Sequence, residues 1–395
     1  MTDVEQRPAP PGRRVRLAGV GSNIFTEMSA LAARHRAVNL AQGFPDTPGP
    51  SSVTEAAVTA LRAGHHQYPP VPGLPALRAA IADHQRDRYG IMLDPDTDVV
   101  VTTGASEAIA AALLAFAGPG DEVVVLEPYY DSYAAGVELA GARLVPVPLT
   151  GPDFRLDPAA LRAAVTDRTR VLLLNNPHNP TGTVLNEQEL AELARVAAAH
   201  DLVVISDEVY EHLVYEGRHR PIAALPGMFE RTVTIGSAGK SFSFTGWKVG
   251  WATGPAELVA GVLAVKQYLS FASGTPFQHA VAEALRLPES HYTELRDSLR
   301  ARRDLLVEGL GALGLRPRTP EGTYFVLADV RPLGAADGLE FCRRLPPRYG
   351  VAAIPAQVFY SAPEAGRHLV RFVFCKEEEV LRDALRRLAP LRTAR

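Results

Sequence analysis

With 395 residues, 47% hydrophobic and 22% charged, the chain has an ordinary globular composition with ample material for a large core, and its length favours two domains over one. A formal net charge of −3 gives no electrostatic case for nucleic acid or an acidic membrane surface as partner. Two cysteines, Cys342 and Cys375, are too few for a disulfide framework or a zinc site; with no apolar signal core and no run of membrane-spanning length, a soluble cytoplasmic protein with two buried thiols is expected.

Residues 1–16 are rich in Pro and Arg and read as a mobile arm. Met28, Leu31 and Ala32 recur at helical spacing within residues 25–36, and a Gly- and Pro-punctuated loop (NLAQGFPD, residues 39–46) follows, able to present backbone N–H groups. Helical patterns cover 52–63 and 74–89, separated by an irregular connector that carries Tyr68 before two prolines. From Asp98 short β-branched runs alternate with helices. The runs begin at Val99, Glu122, Leu144, Arg170, Leu202, Val233 and Val249, which makes seven. Such continuous apolar strands suit a mostly parallel sheet buried on both faces by helices, an α/β architecture. Candidate helices lie at 106–116, 131–140 and 186–200, the last opened by Asn186 with Glu189 three residues on. Beyond Pro255 come a helix to about Ser270, a turn at 272–276 and a long helix over 292–313. Strands at 324–328, 351–354 and 369–373 then alternate with helices as a smaller α+β domain. The arginines at 300–303 and 343–344 are expected on solvated helix faces.

Ligands of open α/β sheets gather at the carboxyl ends of the strands. There the sequence places Gly104-Ala105-Ser106, Tyr130, Asn175 with Asn179, Asp207 with Tyr210, and Ser237 with Lys240. Lys240 sits in the window GSAGKSFSFTGWKVGWATG (236–254), among small and aromatic residues. Partial desolvation disfavours its ammonium form. A neutral amine is what imine formation with an aldehyde needs, and a free lysine with pKa about 10.4 supplies little of it at neutral pH. Ser237 and Lys248 add a hydroxyl and a fixed cation suited to a phosphate dianion. An aldehyde-binding lysine beside a phosphate cradle suggests pyridoxal 5′-phosphate (PLP). Two other readings exist for this window: a buried turn whose lysine snorkels to water, and the S-x-x-K pattern of penicillin-recognising hydrolases. The second falls, because the S-D-N and K-T-G elements that accompany that pattern are absent. Gly104-Ala105-Ser106 opens a helix, where free N–H groups favour an anion. Asp207 directly follows an apolar run, so it is expected to be buried, and a protonated pyridine nitrogen would be a fitting partner for it.

Taken together, NLAQGFPD, QYPPVPGLPALR, EPYYDSY, NNPHNPTG, SDEVYEHLVY, SAGKSFSFTGWKVGW and VRFVFCKEE make the chain resemble the fold-type-I PLP-dependent aminotransferases of class I/II from about Arg16 to Leu388. It is similar to the branch holding kynurenine–oxoglutarate, glutamine and methionine transaminases and N-succinyldiaminopimelate aminotransferases of the actinobacterial type. The resemblance implies a cytoplasmic homodimeric transferase of amino-acid metabolism. Lys240 would be the Schiff-base lysine and proton shuttle. Asp207 would pair with the pyridine nitrogen, Asn179 and Tyr210 would donate to the ring's phenolate oxygen, and Tyr130 would stack on the ring. The phosphate would be held by Ala105, Ser106, Ser237 and Lys248 at the turn opened by Gly104, and by Tyr68 from a second subunit. Arg371 would meet the substrate α-carboxylate with Asn179 and the backbone at Gly43, with Phe25 over the substrate side chain. No metal is implied. Two departures stand out: Lys248 replaces the arginine of many relatives, which this branch tolerates, and Phe25 replaces a tryptophan found in some. The implied division is an arm (1–16), an N-terminal part of the small domain (17–44), a large PLP-binding domain (45–288) and a C-terminal small domain (289–395). Alternatives on the same fold are β-elimination or decarboxylation, since the bond broken is the one perpendicular to the ring, and, in a different class, a PLP-sensing regulatory domain. Such regulators carry a DNA-binding domain ahead of the fold, where this sequence has about sixteen residues.

Overall fold

The computed structural model describes residues 24–393; the expected arm at 1–16, and residues 17–23 of the small-domain segment, lie outside the described residues. An eight-stranded sheet runs in the order Val99–Thr102, Gly250–Thr253, Thr232–Ser237, Val203–Asp207, Thr169–Asn175, Glu122–Glu127, Arg143–Thr150, Arg155–Leu156. The five strands from Thr232–Ser237 to Arg143–Thr150 are mutually parallel, and the pairs at either edge are antiparallel. The seven expected strands are present. The eighth, Arg155–Leu156, is two residues long and carries too short a pattern to be read from sequence.

The apolar runs are continuous because both faces of the sheet are covered. Val123, Val125, Val171, Leu173 and Ile205 face one core, with helix residues Ala108, Ala112, Val259 and Val262. Their neighbours Val124, Leu126, Leu172, Leu174 and Val204 face the opposite core, with Leu190, Leu193 and Val196 of helix Glu187–Ala199. That helix starts on a full capping box: Asn186 accepts from the backbone of Glu189, whose side chain accepts from the Asn186 N–H. Such a cap contributes about 1 kcal/mol.

A second, four-stranded antiparallel sheet (Arg316–Pro317, Phe325–Asp329, Leu369–Val373, Ile354–Pro355) packs with Met28, Leu40 and the helices Gly338–Tyr349 and Glu378–Leu388. The N-terminal segment joins this body through Val38–Asn39, which pairs in parallel with Val351–Ala352. The single strand expected at 351–354 is therefore two short ones in different sheets. Three other expectations are corrected or filled in. The turn expected at 272–276 is shorter, because Thr275 already opens helix Thr275–Ala284; Pro276 sits in its first turn, where the missing N–H costs nothing. The long helix begins at Glu289 rather than 292. Arg303 is buried instead of solvated, with Nη1 donating to the carbonyl of Pro320 (3.1 Å) and the guanidinium 5.0 Å from the Tyr215 ring, while Arg343 and Arg344 do lie exposed in ion pairs with Glu27 and Glu340. Cys342 and Cys375 are both buried free thiols.

Candidate active site

Strand register brings the polar residues together. Asn175 is opposite Asp207, and Asp207 is opposite Ile235, two residues before Ser237, so three neighbouring parallel strands end at one level. Above them lies a cavity of about 520 Å³ lined by Phe25, Gly43, Gly104, Ala105, Ser106, Tyr130, Asn179, Asp207, Tyr210, Ser237, Lys240, Lys248 and Arg371, among others. Every candidate residue except Tyr68 is there. Tyr68 is 80% exposed, stacked edge-on against Phe271 at 5.2 Å between ring centres.

One end of the cavity suits an anion. Helix Gly104–Phe116 begins there with Gly104 at φ +73, and Ala105 and Ser106 follow in its first turn. The first N–H groups of a helix have no partner within it, and the helix dipole favours negative charge at this end. Lys248, in the left-handed region at φ +54, brings Nζ over Gly104. A Cβ at position 104 would lie 3.1 Å from that nitrogen, so the positive φ favours glycine and a side chain there would crowd the cation.

Lys240 lies on the short helix Ala238–Ser241, its Nζ 3.4 Å from the carbonyl of Gly43 and just under 6 Å from the rings of Tyr210 and Tyr324. Burial lowers its pKa from the ordinary lysine value, which increases the neutral share of the amine. The chain has four lysines, of which Lys240 and Lys248 line the cavity. Lys248 faces the helix start; Lys266 donates to the carbonyls of Val71 (2.5 Å) and Phe271 (2.7 Å), and Lys376 to that of Phe44 (2.7 Å).

Asp207 is buried. Its Oδ2 accepts from the Tyr133 hydroxyl at 2.6 Å and its Oδ1 only from the backbone of Val209 at 3.4 Å. Burial pushes this carboxyl up to about 6, against the bond from Tyr133. Asn175 donates to the Asp207 carbonyl (2.9 Å) and accepts from the backbone of Asn179 (2.7 Å), which sets the turn that carries Asn179. Burial also pushes the phenol of Tyr210 well above its usual range, so it remains a hydroxyl donor.

Arg371 stands on strand Leu369–Val373, opposite Leu327 and Ile354. The residue is 2% exposed, and its guanidinium donates to Asn179 Oδ1 (2.9 Å) and the carbonyl of Ala41 (3.2 Å), with the rings of Phe25, Phe325 and Phe359 at 5.2, 4.2 and 4.9 Å. It forms no ion pair among the described residues, and burial pushes it down to about 10. A cation in that state favours an incoming anion. Because Asn179 Oδ1 faces Arg371, its amide N–H groups remain for a ligand.

Three residues of the site escape a reading of sequence alone. Tyr133 belongs to EPYYDSY, but the bond that matters reaches Asp207, 74 positions on. Tyr324 donates to the Gly43 carbonyl at 2.6 Å, next to Lys240, and Phe325 stacks on Arg371. Their signal was only an aromatic pair at a strand start.

These residues fit the PLP that the resemblance implies. The helix start with Lys248 is a cradle that a side chain at 104 would fill, Asp207 has acceptor capacity left in a buried setting, and Lys240 offers an amine between them. Comparison with known proteins agrees. The family described as aminotransferase class I and II matches residues 35–388. The probable N-succinyldiaminopimelate aminotransferase of Mycobacterium tuberculosis is 54% identical over 388 residues, 95% of this chain and 98% of that one. A solved structure of the N-succinyldiaminopimelate aminotransferase from that organism superposes with a TM-score of 0.94 at 54% identity, covering 96% of this chain and all of the other. The methionine aminotransferase of Escherichia coli is 43% identical, covering 95% of this chain and 97% of that protein. The chain therefore belongs to the class I and II aminotransferases, PLP-dependent enzymes of fold type I that move an amino group from an amino acid to a 2-oxo acid.

Proposed function

We propose that Lys240 would hold the cofactor and would be the base that carries the proton from the substrate Cα. Asp207 pairs with the ring nitrogen, oriented by Tyr133; Asn179 and Tyr210 donate to the ring oxygen, and Tyr130 lies on the ring face. Ala105, Ser106, Ser237 and Lys248 take the phosphate. Arg371 takes the α-carboxylate through its planar fork, with Asn179 and the Gly43 backbone beside it. When bound, the cofactor supplies a sink for the electron pair left at Cα. The observation that carries this reading is a buried amine and a buried guanidinium without an ion pair, facing one cavity.

The donor class we infer is an L-amino acid with an uncharged or apolar first part to its side chain. Lys240, Lys248 and Arg371 are the cations that line the cavity among the described residues, and each has a task; Phe25, Phe44, Phe244 and Phe325 contribute apolar wall beside polar residues such as Thr26 and Gln42. In a panel with 2-oxoglutarate as acceptor, methionine, glutamine, phenylalanine and kynurenine are expected to exceed aspartate in kcat/KM by about tenfold or more, the worth of one unpaired charge at roughly 1.4 kcal/mol or above. Aspartate as best donor would contradict this. A second reading, N-succinyldiaminopimelate, is favoured by the 54% identity over nearly the whole chain. Its methylene chain suits the same rings, and kcat/KM for it above that for methionine would select it.

A homodimer fits the surface. Tyr68, Tyr268, Leu269 and Phe271 are exposed, with Tyr68 against Phe271, and a second copy would cover this patch, Tyr68 then being the residue that the resemblance assigns to the neighbour's phosphate site. The division at 45–288 and 289–395 is supported by the separate eight-stranded and four-stranded sheets, and the joining of the described part of 17–44 to the latter by the pairing of Val38–Asn39 with Val351–Ala352. A cytoplasmic location is supported by the unpaired cysteines, and no helix among the described residues is long and apolar enough to cross a membrane.

The Asp207 reading has a consequence for pH. In the cofactor-free protein its pKa of about 6 lies above the ordinary 3.8, so the folded state binds the proton more tightly than the unfolded one. The resulting stability is complete below the unfolded value and is lost as pH rises through about 6, a change of about 3 kcal/mol at about 1.4 kcal/mol per pKa unit. Between about pH 4 and about pH 6 the unfolding free energy of the cofactor-free wild type, measured in denaturant, should fall relative to that of Asp207→Asn, the buried His178 and His212, pushed down to about 3, adding an opposite slope common to both proteins. An unchanged slope in Asp207→Asn would contradict the assignment.

A further inference from the structure

Behind Lys240 lies a buried polar cluster that none of the roles above uses. Glu211 Oε2 accepts from the Tyr89 hydroxyl at 2.5 Å and lies 3.2 Å from His84 Nε2. Next along the chain, His212 stacks on the ring of Tyr292 (4.3 Å, 19°), and its Nδ1 is 3.0 Å from the hydroxyl of Ser241, the residue after Lys240. His212 Nε2 has no hydrogen-bond partner among the described residues, so Ser241 is where the polar bonding of this imidazole goes. Burial pushes His212 down to about 3, which keeps the ring neutral, one nitrogen a donor and the other an acceptor.

The helix that carries Lys240 has only four residues, too few for a ladder of hydrogen bonds to hold it. Beside one backbone bond, from the Ala238 N–H to the Val249 carbonyl (3.1 Å), its orientation depends on side-chain ties. Ser241 supplies two of them: the hydroxyl to His212, and the carbonyl to His291 Nε2 at 3.1 Å. The segment that carries Glu211 and His212 is the one that also carries Asp207 and Tyr210, and it is anchored to helix Pro75–Tyr89 through Glu211. We propose that His212 is a positioning residue for Lys240: through Ser241 it locks the turn bearing the amine to the segment bearing Asp207 and Tyr210, and Glu211 with Tyr89 and His84 holds that segment in place. The ligand atoms of His84, Glu211 and His212 lie within 4.8 Å of one another, a spacing that could also gather a cation. The hydrogen bonds already made by Glu211 Oε2 and His212 Nδ1 favour the positioning role instead. The proposal rests on the reading of Lys240 as the cofactor-bearing amine, which is tested separately by locating the cofactor on the chain.

The test uses the PLP-loaded enzyme. His212→Phe keeps the stack on Tyr292 and removes the nitrogen, Ser241→Ala removes the hydroxyl, and His212→Asn places an amide where Nδ1 was. His212→Phe and Ser241→Ala should each lower kcat by about 10- to 10²-fold, the scale of a misplacement of about 1 Å, with KM for the donor within about twofold and cofactor content unchanged. Both should raise the isotope effect with a Cα-deuterated donor and diminish the visible circular-dichroism band of the bound cofactor, which depends on the angle at which Lys240 meets the ring. His212→Asn should restore most of both, and the double variant should be no worse than either single one. Wild-type kcat and dichroism in Ser241→Ala would overturn the proposal, and that variant decides the matter alone if His212→Phe does not fold. So would a loss that tracks cofactor content with an unchanged isotope effect, or one equivalent of metal retained by the wild type and lost from His212→Phe.

Discussion

Lys240→Ala is expected to cut turnover by about 10⁴-fold or more, the upper range for a lost general acid–base group, in a protein that still folds and still takes up cofactor. The phosphate cradle does not depend on this residue: the start of helix Gly104–Phe116, Ser237 and Lys248 stay in place. Nor does the fold depend on it. The amine is buried with one long contact to the Gly43 carbonyl, so its ammonium form is a burden that alanine removes. Unfolding midpoints at or above wild type, cofactor retained by the phosphate and a lost lysine-linked yellow absorbance should accompany the loss of activity. Turnover within tenfold of wild type would show that another group moves the proton.

Arg371→Leu should lower kcat/KM by roughly 10²–10³-fold for every α-amino acid and 2-oxo acid, the effect of removing one partner of a buried, hydrogen-bonded charge pair. Most of the loss should fall on KM, since the carboxylate is bound before and during the chemistry. Arg371→Lys should recover only part, because an ammonium cannot make the two-pronged contact. Terminal amines without the carboxylate should be little affected. Two opposing effects act on stability: leucine removes a buried cation that has no ion pair among the described residues, but it also leaves Asn179 Oδ1 and the Ala41 carbonyl without their donor, at a cost of about 1–3 kcal/mol each. A wild-type KM for amino acids, or a loss confined to one class of side chain, would contradict the role of Arg371.

The large sheet was legible because strands buried on both faces must be apolar throughout, and the runs at Val123–Leu126 and Val171–Leu174 are. The carboxyl ends of those strands then located the cavity, and Lys240 was visible because it stands among small and aromatic residues. The rest was hidden for identifiable reasons. Strand pairs of two residues, such as Val38–Asn39 with Val351–Ala352, have no period to read. The proline of helix Thr275–Ala284 looked like a turn because its place in the first helical turn is visible only in three dimensions. Arg303 looked solvated, yet its long stem lets the guanidinium reach the carbonyl of Pro320. Tyr133 and the Glu211–His84 contact join residues 74 and 127 positions apart, which local pattern cannot register.

With only four lysines in the chain, locating the cofactor is the most direct measurement of all. Borohydride reduction of the PLP-loaded protein, followed by digestion and mass mapping, should place the pyridoxyl group on Lys240 alone, the one lysine whose amine is buried in the cavity without a strong partner. A pyridoxyl group on Lys248, Lys266 or Lys376 would contradict the account of this site.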